Sequence, residues 1–222
     1  MTKWERRTVT RTRQPRLRRL IAATLAAVLG GCTGAPAEPA ETPATGTTPS
    51  VEFSADIEVK GQSLHITYHL INQSGEDLIV LDQVPTYTVA GTVTQDVNAV
   101  YITGRPDSGQ VEIAKRAFAM PETDRKTWAR AARVSGIVVA AGQPVGEELT
   151  VPLALRRHHP YGDDIGYGTI KLPDPVTAAV FCVGVVRKGQ VQPPPTGTSV
   201  TLPHLSSTTA VQHLFCSGAV RL

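Results

Sequence analysis

The densest polar stretch of the chain is His158-His159-Pro160-Tyr161-Gly162-Asp163-Asp164. Two imidazoles and two carboxylates in one loop are a ligand set for Zn²⁺ or Cu²⁺. Adjacent histidines rarely point the same way, however, and Arg156-Arg157 set two fixed cations beside them. A metal site at His158, His159, Asp163 and Asp164 is therefore the weaker reading, and a solvated loop shaped by Gly and Pro the stronger. His65 and His69 lie four residues apart on a period-two stretch. That spacing puts them ~13 Å apart on one strand, too far to share an ion.

Other chemistry is sparse. Glu147-Glu148 and Asp163-Asp164 are neighbours in sequence, so on a strand their carboxylates face opposite ways and cannot act as an acid/base pair across one bond. No G-x-S-x-G elbow, H-E-x-x-H helix, phosphate loop or dinucleotide fingerprint occurs. Cys216-Ser217-Gly218 reverses the Ser-x-Gly before Cys order of peptidoglycan transpeptidases and is set aside. Arg125, Lys126, Arg130 and Arg133 surround Trp128. They suit a solvated face, or contact with anionic lipid or an acidic polymer.

The first 19 residues carry Lys3, Arg6, Arg7, Arg11, Arg13, Arg16, Arg18 and Arg19. Residues 20–31, LIAATLAAVLGG, are uncharged and apolar. Twelve residues fall short of the roughly 20 that span a bilayer. A basic head before a short apolar run reads as a signal peptide. It ends Leu29-Gly30-Gly31-Cys32, which resembles the lipobox of bacterial envelope lipoproteins. The resemblance implies cleavage before Cys32, acylation of Cys32 and a lipid-held mature chain. Each buried methylene contributes about 0.8 kcal/mol, so two or three acyl chains hold a domain firmly on a membrane.

The charge balance changes once that segment is removed. The whole chain of 222 residues has 22 Lys+Arg and 19 Asp+Glu; residues 32–222 have 14 and 18. A net −4 argues against a nucleic-acid partner, which needs a basic stripe to displace counterions. Residues 33–50, TGAPAEPAETPATGTTPS, contain four Pro, two Gly and five Thr and no large apolar side chain. They read as a disordered linker within 32–50, reaching ~55 Å if extended.

The folded part is then 51–222. Phe53, Ala55, Ile57 and Val59 alternate with polar residues, as do Leu64, Ile66, Tyr68 and Leu70 after Gly61-Gln62, which reads as a hairpin. Leu78–Leu81 is a buried strand. Val97–Thr103 and Val111–Ala117 flank a turn, Ile137–Ala140 and Leu149–Leu155 follow, and Ala178–Val186 and Ala210–Leu222 close the chain. The expectation is an all-β, two-sheet, immunoglobulin-like β-sandwich with at most one short helix, a closed barrel being the alternative. Residues 122–133 are the helix candidate, with Thr123 as N-cap.

Taken together, these features predict an exported lipoprotein, membrane-anchored through Cys32, whose sandwich is a non-enzymatic module that binds an envelope protein or polymer and needs no cofactor. A metal or small-ligand carrier using the 158–164 loop, and a hydrolase with a site built from distant residues, are the alternatives.

Cys182 and Cys216 remain after acylation of Cys32, in apolar strands of an exported chain where thiols oxidise. Alternation places Cys182 with Val180 and Val186, and Cys216 with Leu214 and Val220, which predicts a buried bridge. Closing a loop with a sequence separation of 34 contributes about 3.8 kcal/mol by chain entropy. Thiol titration of the unfolded, unreduced mature protein is expected to find neither cysteine free; detection of both thiols contradicts the bridge.

Overall fold

The computed structural model describes residues 38, 41, 43–87, 93–105, 108–166, 168–193 and 195–222. Residues 1–31, expected to be a signal peptide, and Cys32 lie outside the described residues. What is described is mostly β, in two main sheets. The strands are β1 (Val51–Lys60), β2 (Ser63–Asn72), β3 (Leu78–Gln83), β4 (Pro85–Tyr87), β5 (Val93–Gln95), β6 (Tyr101–Arg105), β7 (Gln110–Lys115), β8 (Arg133–Val139), β9 (Pro144–Pro152), β10 (Ala178–Arg187), β11 (Ser199–Pro203), β12 (Gln212–Cys216) and β13 (Val220–Arg221).

The smaller sheet runs β1-β2-β9, all antiparallel. Gly61, at φ 62°, turns β1 into β2 through a two-residue hairpin. Ile57, Leu64, Ile66, Tyr68, Leu70, Leu149 and Val151 point inward, and Asp56, Glu58, His65 and Glu148 line the outer face. The edge of β1 away from β2 has no strand partner among the described residues.

The larger sheet follows β11-β8-β3-β10-β7-β6, with β12 and β13 also on β10. Its centre is buried on both faces. Leu78, Val80, Ile113, Phe181, Val183 and Val185 pack against the smaller sheet. Ile79, Leu81, Val134, Val186, Val200 and Leu202 form a second core with Tyr101 and Phe118 on the far side. This two-sided burial explains the unbroken apolar runs Leu78–Leu81 and Val180–Val186.

Strand β10 carries more partners than two edges ordinarily hold. β13 and β12 occupy one edge, at 178–179 and 182–186. The other edge is divided: β7 runs parallel to residues 178–183, and β3 runs antiparallel to residues 184–187. The C-terminal ends of β7 and β3 therefore meet at Val183 and Gly184. The ladder of β3 against β8 shifts between Val80 and Gln83 at the same level.

Two sequence expectations are corrected. Residues 122–133 form no helix; the Thr123 hydroxyl accepts the Arg125 N–H, a local turn that competes with helical bonding. The α-helix found among the described residues is α1 (Ser206–Thr209). Cys182 and Cys216 are bonded, but only Cys182 is buried, at 2% exposure. Cys216 is exposed beside Leu214, because Phe215 is the residue of β12 that packs on the main core. The cysteines sit directly opposite, Cα atoms 4.1 Å apart, in a narrow pair flanked by the Ser217 N–H to Phe181 carbonyl bond. Within the segment 32–50, Glu38, Glu41, Thr45, Thr47 and Ser50 make contacts with the rest of the described chain. Thr45 donates through its N–H and hydroxyl to the Ala210 carbonyl (2.7 and 2.9 Å), and Pro49 is buried.

Gly136 of β8 lies beside the shifted register. A Cβ there would stand 2.3 Å from the Val80 carbonyl oxygen, a backbone atom that cannot swing aside. Gly136→Ala is expected to cost about 2 kcal/mol or more in urea unfolding. Gly75→Ala meets nothing within 4 Å and serves as the control, changing stability by less than about 0.5 kcal/mol. Equal effects at the two positions would refute this account of the bulge.

Candidate functional site

Two buried cationic centres gather most of the chemistry-bearing groups. The first lies where the N-terminal arm meets the domain. The Arg157 side chain, 4% exposed, donates from Nε and Nη2 to the two oxygens of Glu38 at 2.6 and 2.9 Å. Its Nη1 donates to the Gly162 carbonyl (2.6 Å) and to Asp163 (3.1 Å). Arg116, also buried, donates from Nε to Glu112 (2.5 Å) and from Nη1 to Glu41 and the Ala117 carbonyl. Its guanidinium carbon stands 3.8 Å from the centre of the Phe118 ring. A buried guanidinium is tolerable only when its donors are taken, and fork-shaped pairing with a carboxylate is the strongest way to take them. Burial pushes the Glu41 carboxyl above its usual range despite the pull of Arg116.

Behind these arginines is an aromatic and imidazole layer. His204 is fully buried, and burial pushes it down to about 3. Its Nδ1 accepts the Phe118 N–H (2.9 Å), so in the neutral ring Nε2 carries the proton and donates to the Tyr101 hydroxyl, 2.9 Å away. The Tyr161 hydroxyl donates to the His204 carbonyl. His159 is likewise pushed down to about 3 by burial, reinforced by Arg157. Its Nδ1 accepts the Tyr161 N–H at 3.3 Å, and its ring stands edge-on to Phe118.

The second centre closes the gap between β7 and β3. Lys115 is wholly buried; its Nζ donates to the Asp82 carbonyl (2.7 Å), a backbone acceptor freed by the break in the ladder, and to Glu147 Oε2 (2.6 Å) of the smaller sheet. The Tyr68 hydroxyl donates to the same Glu147 oxygen at 3.3 Å. Asp82 Oδ1 is buried with no hydrogen-bond partner. Burial, with the Glu147 charge adding to it, pushes the Asp82 carboxyl up to about 7. This group can hold a proton near neutrality, enclosed beside an ammonium and a phenol.

The structure disperses the sequence-selected metal ligands. His158 Nδ1 bonds the Val100 carbonyl (2.6 Å), His159 turns into the aromatic layer, and Asp163 sits on Arg157. Asp164 Oδ1 accepts the Gly166 and Gly168 N–H groups at 2.7 and 3.2 Å, which holds its carboxyl below the usual range. Among the described residues no three His, Cys, Asp or Glu side chains are grouped to hold a metal ion. His65 and His69 lie on the outer face of β2. Of the basic residues, Lys126 donates to the Asp164 carbonyl (2.5 Å) and lies 5.5 Å from the Trp128 ring. Arg125 and Arg130 are exposed beside it, and Arg133 reaches the Thr201 carbonyl at 3.4 Å.

Sequence reasoning passed over Lys115, Asp82, Arg116 and His204. The signal was present for the first two: each is the charged residue that ends an apolar strand run, VEIAK and LIVLD. Arg157 was read as an obstacle to a metal, whereas its partner is Glu38.

No protein-family model matches the chain, and neither does any curated protein or solved structure. Its function is read from these residues alone.

The titrating groups oppose one another. His159 and His204 have folded values below the unfolded value of 6.5, so their contribution is present above pH 6.5 and is lost as pH falls toward 3. Asp82 is raised above 3.8, so its contribution is present below that value and is lost as pH rises to about 7. Asp82→Asn is expected to raise the thermal midpoint at pH 8 relative to wild type and to change it little at pH 4. An equal change at both pH values contradicts this assignment.

Proposed function

We propose that the protein is an exported lipoprotein, acylated at Cys32, whose immunoglobulin-like sandwich is a non-enzymatic binding or assembly module for another component of the bacterial envelope. The observation that carries this reading is the basic head and 12-residue apolar run ending in Leu29-Gly30-Gly31-Cys32. It is supported by how the domain uses its reactive side chains. The buried arginines are neutralised by glutamates, His159 and His204 are held within an aromatic layer, and Lys115 bridges two strand ends and the opposing sheet. Such groups stabilise a shape rather than turn over a substrate. The exposed outer face of the β1-β2-β9 sheet, a polar groove lined by Asp56, Glu58, Lys60, His65, Thr67 and Glu148, is the kind of surface a polar partner occupies.

Cys32→Ala is expected to move the protein from the membrane to the soluble fraction while leaving the thermal transition of the domain unchanged. Fractionation after high-salt and carbonate washing checks this; retention of the variant on the membrane would sink the anchor. Capture from cross-linked cells that returns no envelope protein or polymer counts against the binding-module reading.

A further inference from the structure

Cys32 and Glu38 are six residues apart. A chain of that length spans at most about 22 Å. Glu38 is held by both oxygens on Arg157, and Arg157 belongs to the 157–166 loop. If the domain were tethered from Val51, the free chain would reach ~55 Å. With Glu38 clasped, the loop that receives it is confined close to the lipid anchor.

The surface next to that clasp has the chemistry of a membrane interface. Segment 122–130 packs on the same loop: Lys126 donates to the Asp164 carbonyl, the Trp128 ring stands edge-on to Tyr161 at 5.3 Å, and Gly166 abuts Thr123 and Arg125. Arg125, Lys126 and Arg130 of this segment are exposed, with half-buried Trp128 among them. The acidic residues of the same region are Glu122, Asp124, Asp163 and Asp164. Asp163 shares Arg157 with Glu38, Asp164 keeps its charge while accepting two backbone N–H groups, and Glu122 and Asp124 are exposed. The outer face of the β1-β2-β9 sheet carries Asp56, Glu58 and Glu148. Lys and Arg near an anionic leaflet are attracted to it, and Trp is enriched at the headgroup level.

We propose that the loop surface formed by Arg125, Lys126, Trp128 and Arg130 lies on anionic phospholipid headgroups of the anchoring membrane, held there by the Glu38–Arg157 clasp. This inference rests on the lipoprotein reading of Cys32. It orients the domain with the acidic outer face of the smaller sheet available to a partner.

Trp4 and Trp128 are the two tryptophans, and cleavage before Cys32 leaves Trp128 alone. Its fluorescence therefore reports this surface directly. The mature protein, purified from membranes, is reconstituted into phosphatidylcholine vesicles with or without phosphatidylglycerol, each doped with a headgroup-spin-labelled lipid. Strong quenching of Trp128 is expected, larger with phosphatidylglycerol. Inserting 20 Gly/Ser residues between Cys32 and Glu38 leaves the clasp in place and lowers the effective concentration at the surface about ninefold, by the −3/2 power of tether length. Quenching should fall accordingly. Lys126→Ala/Arg130→Ala should abolish the extra quenching that phosphatidylglycerol gives. Acylated protein whose Trp128 is unquenched, or whose quenching ignores both changes, overturns this orientation alone. Absence of acyl mass on Cys32 overturns the anchor as well.

Discussion

The arrangement of the domain depends on the divided edge of β10. One strand can pair with only two neighbours at any residue, and β10 gives one side to β12 and β13 and splits the other between β7 and β3. Two strand ends meeting head-on leave backbone groups without a ladder. Lys115 supplies the missing donor to the Asp82 carbonyl, and its remaining bonding capacity reaches Glu147 on the opposing sheet. One side chain thus bridges two strand ends and links two sheets. Its burial is costly in isolation, and the Glu147 carboxylate and the Asp82 carbonyl offset that cost. The bulge in β3 and the glycine at position 136 belong to the same solution, because the strand must bend away as its ladder ends.

Much of this was legible in the primary structure, and the parts that were not share a cause. Period-two alternation revealed β1 and β2 nearly to the residue, and the apolar run 78–81 revealed a strand buried on both faces. Glu147 and Glu148 do face opposite ways: one lies in the sheet interface, the other in the outer groove. The cysteine pairing was legible, but its phase was not. Phe215, rather than Cys216, faces the core, and in an edge strand apolar residues on both sides make the phase ambiguous. The helix expected at 122–133 failed because Trp128 and Lys126 find partners on a distant loop, and Thr123 bonds locally. Pairings between remote positions, such as Arg157 with Glu38 or Phe118 with His204, leave no periodic trace.

The N-terminal arm is held by charge more than by apolar contact. Residues 33–50 have too little apolar surface to bury, and a disordered linker follows from that count. Their two glutamates, however, complete buried arginines, and a few backbone bonds to Ala210, Arg187 and Gln73 hold the rest. The ordering entropy is offset by charge pairing rather than by apolar burial. The arm is therefore part of the domain's own structure at the positions where it is described.

The edge of β1 that has no strand partner among the described residues has a colloidal consequence. A ten-residue edge strand invites the same strand of a second copy to extend the sheet. In β1 the outward residues include Glu52, Asp56 and Glu58. Antiparallel self-pairing centred near Asp56 sets Asp56 against its own copy; shifting the register either way sets Glu52 against Glu58, or Asp56 against Glu58. Like charges directly opposite are destabilising. The spacing of three carboxylates therefore disfavours joining two copies through this edge in each of these registers.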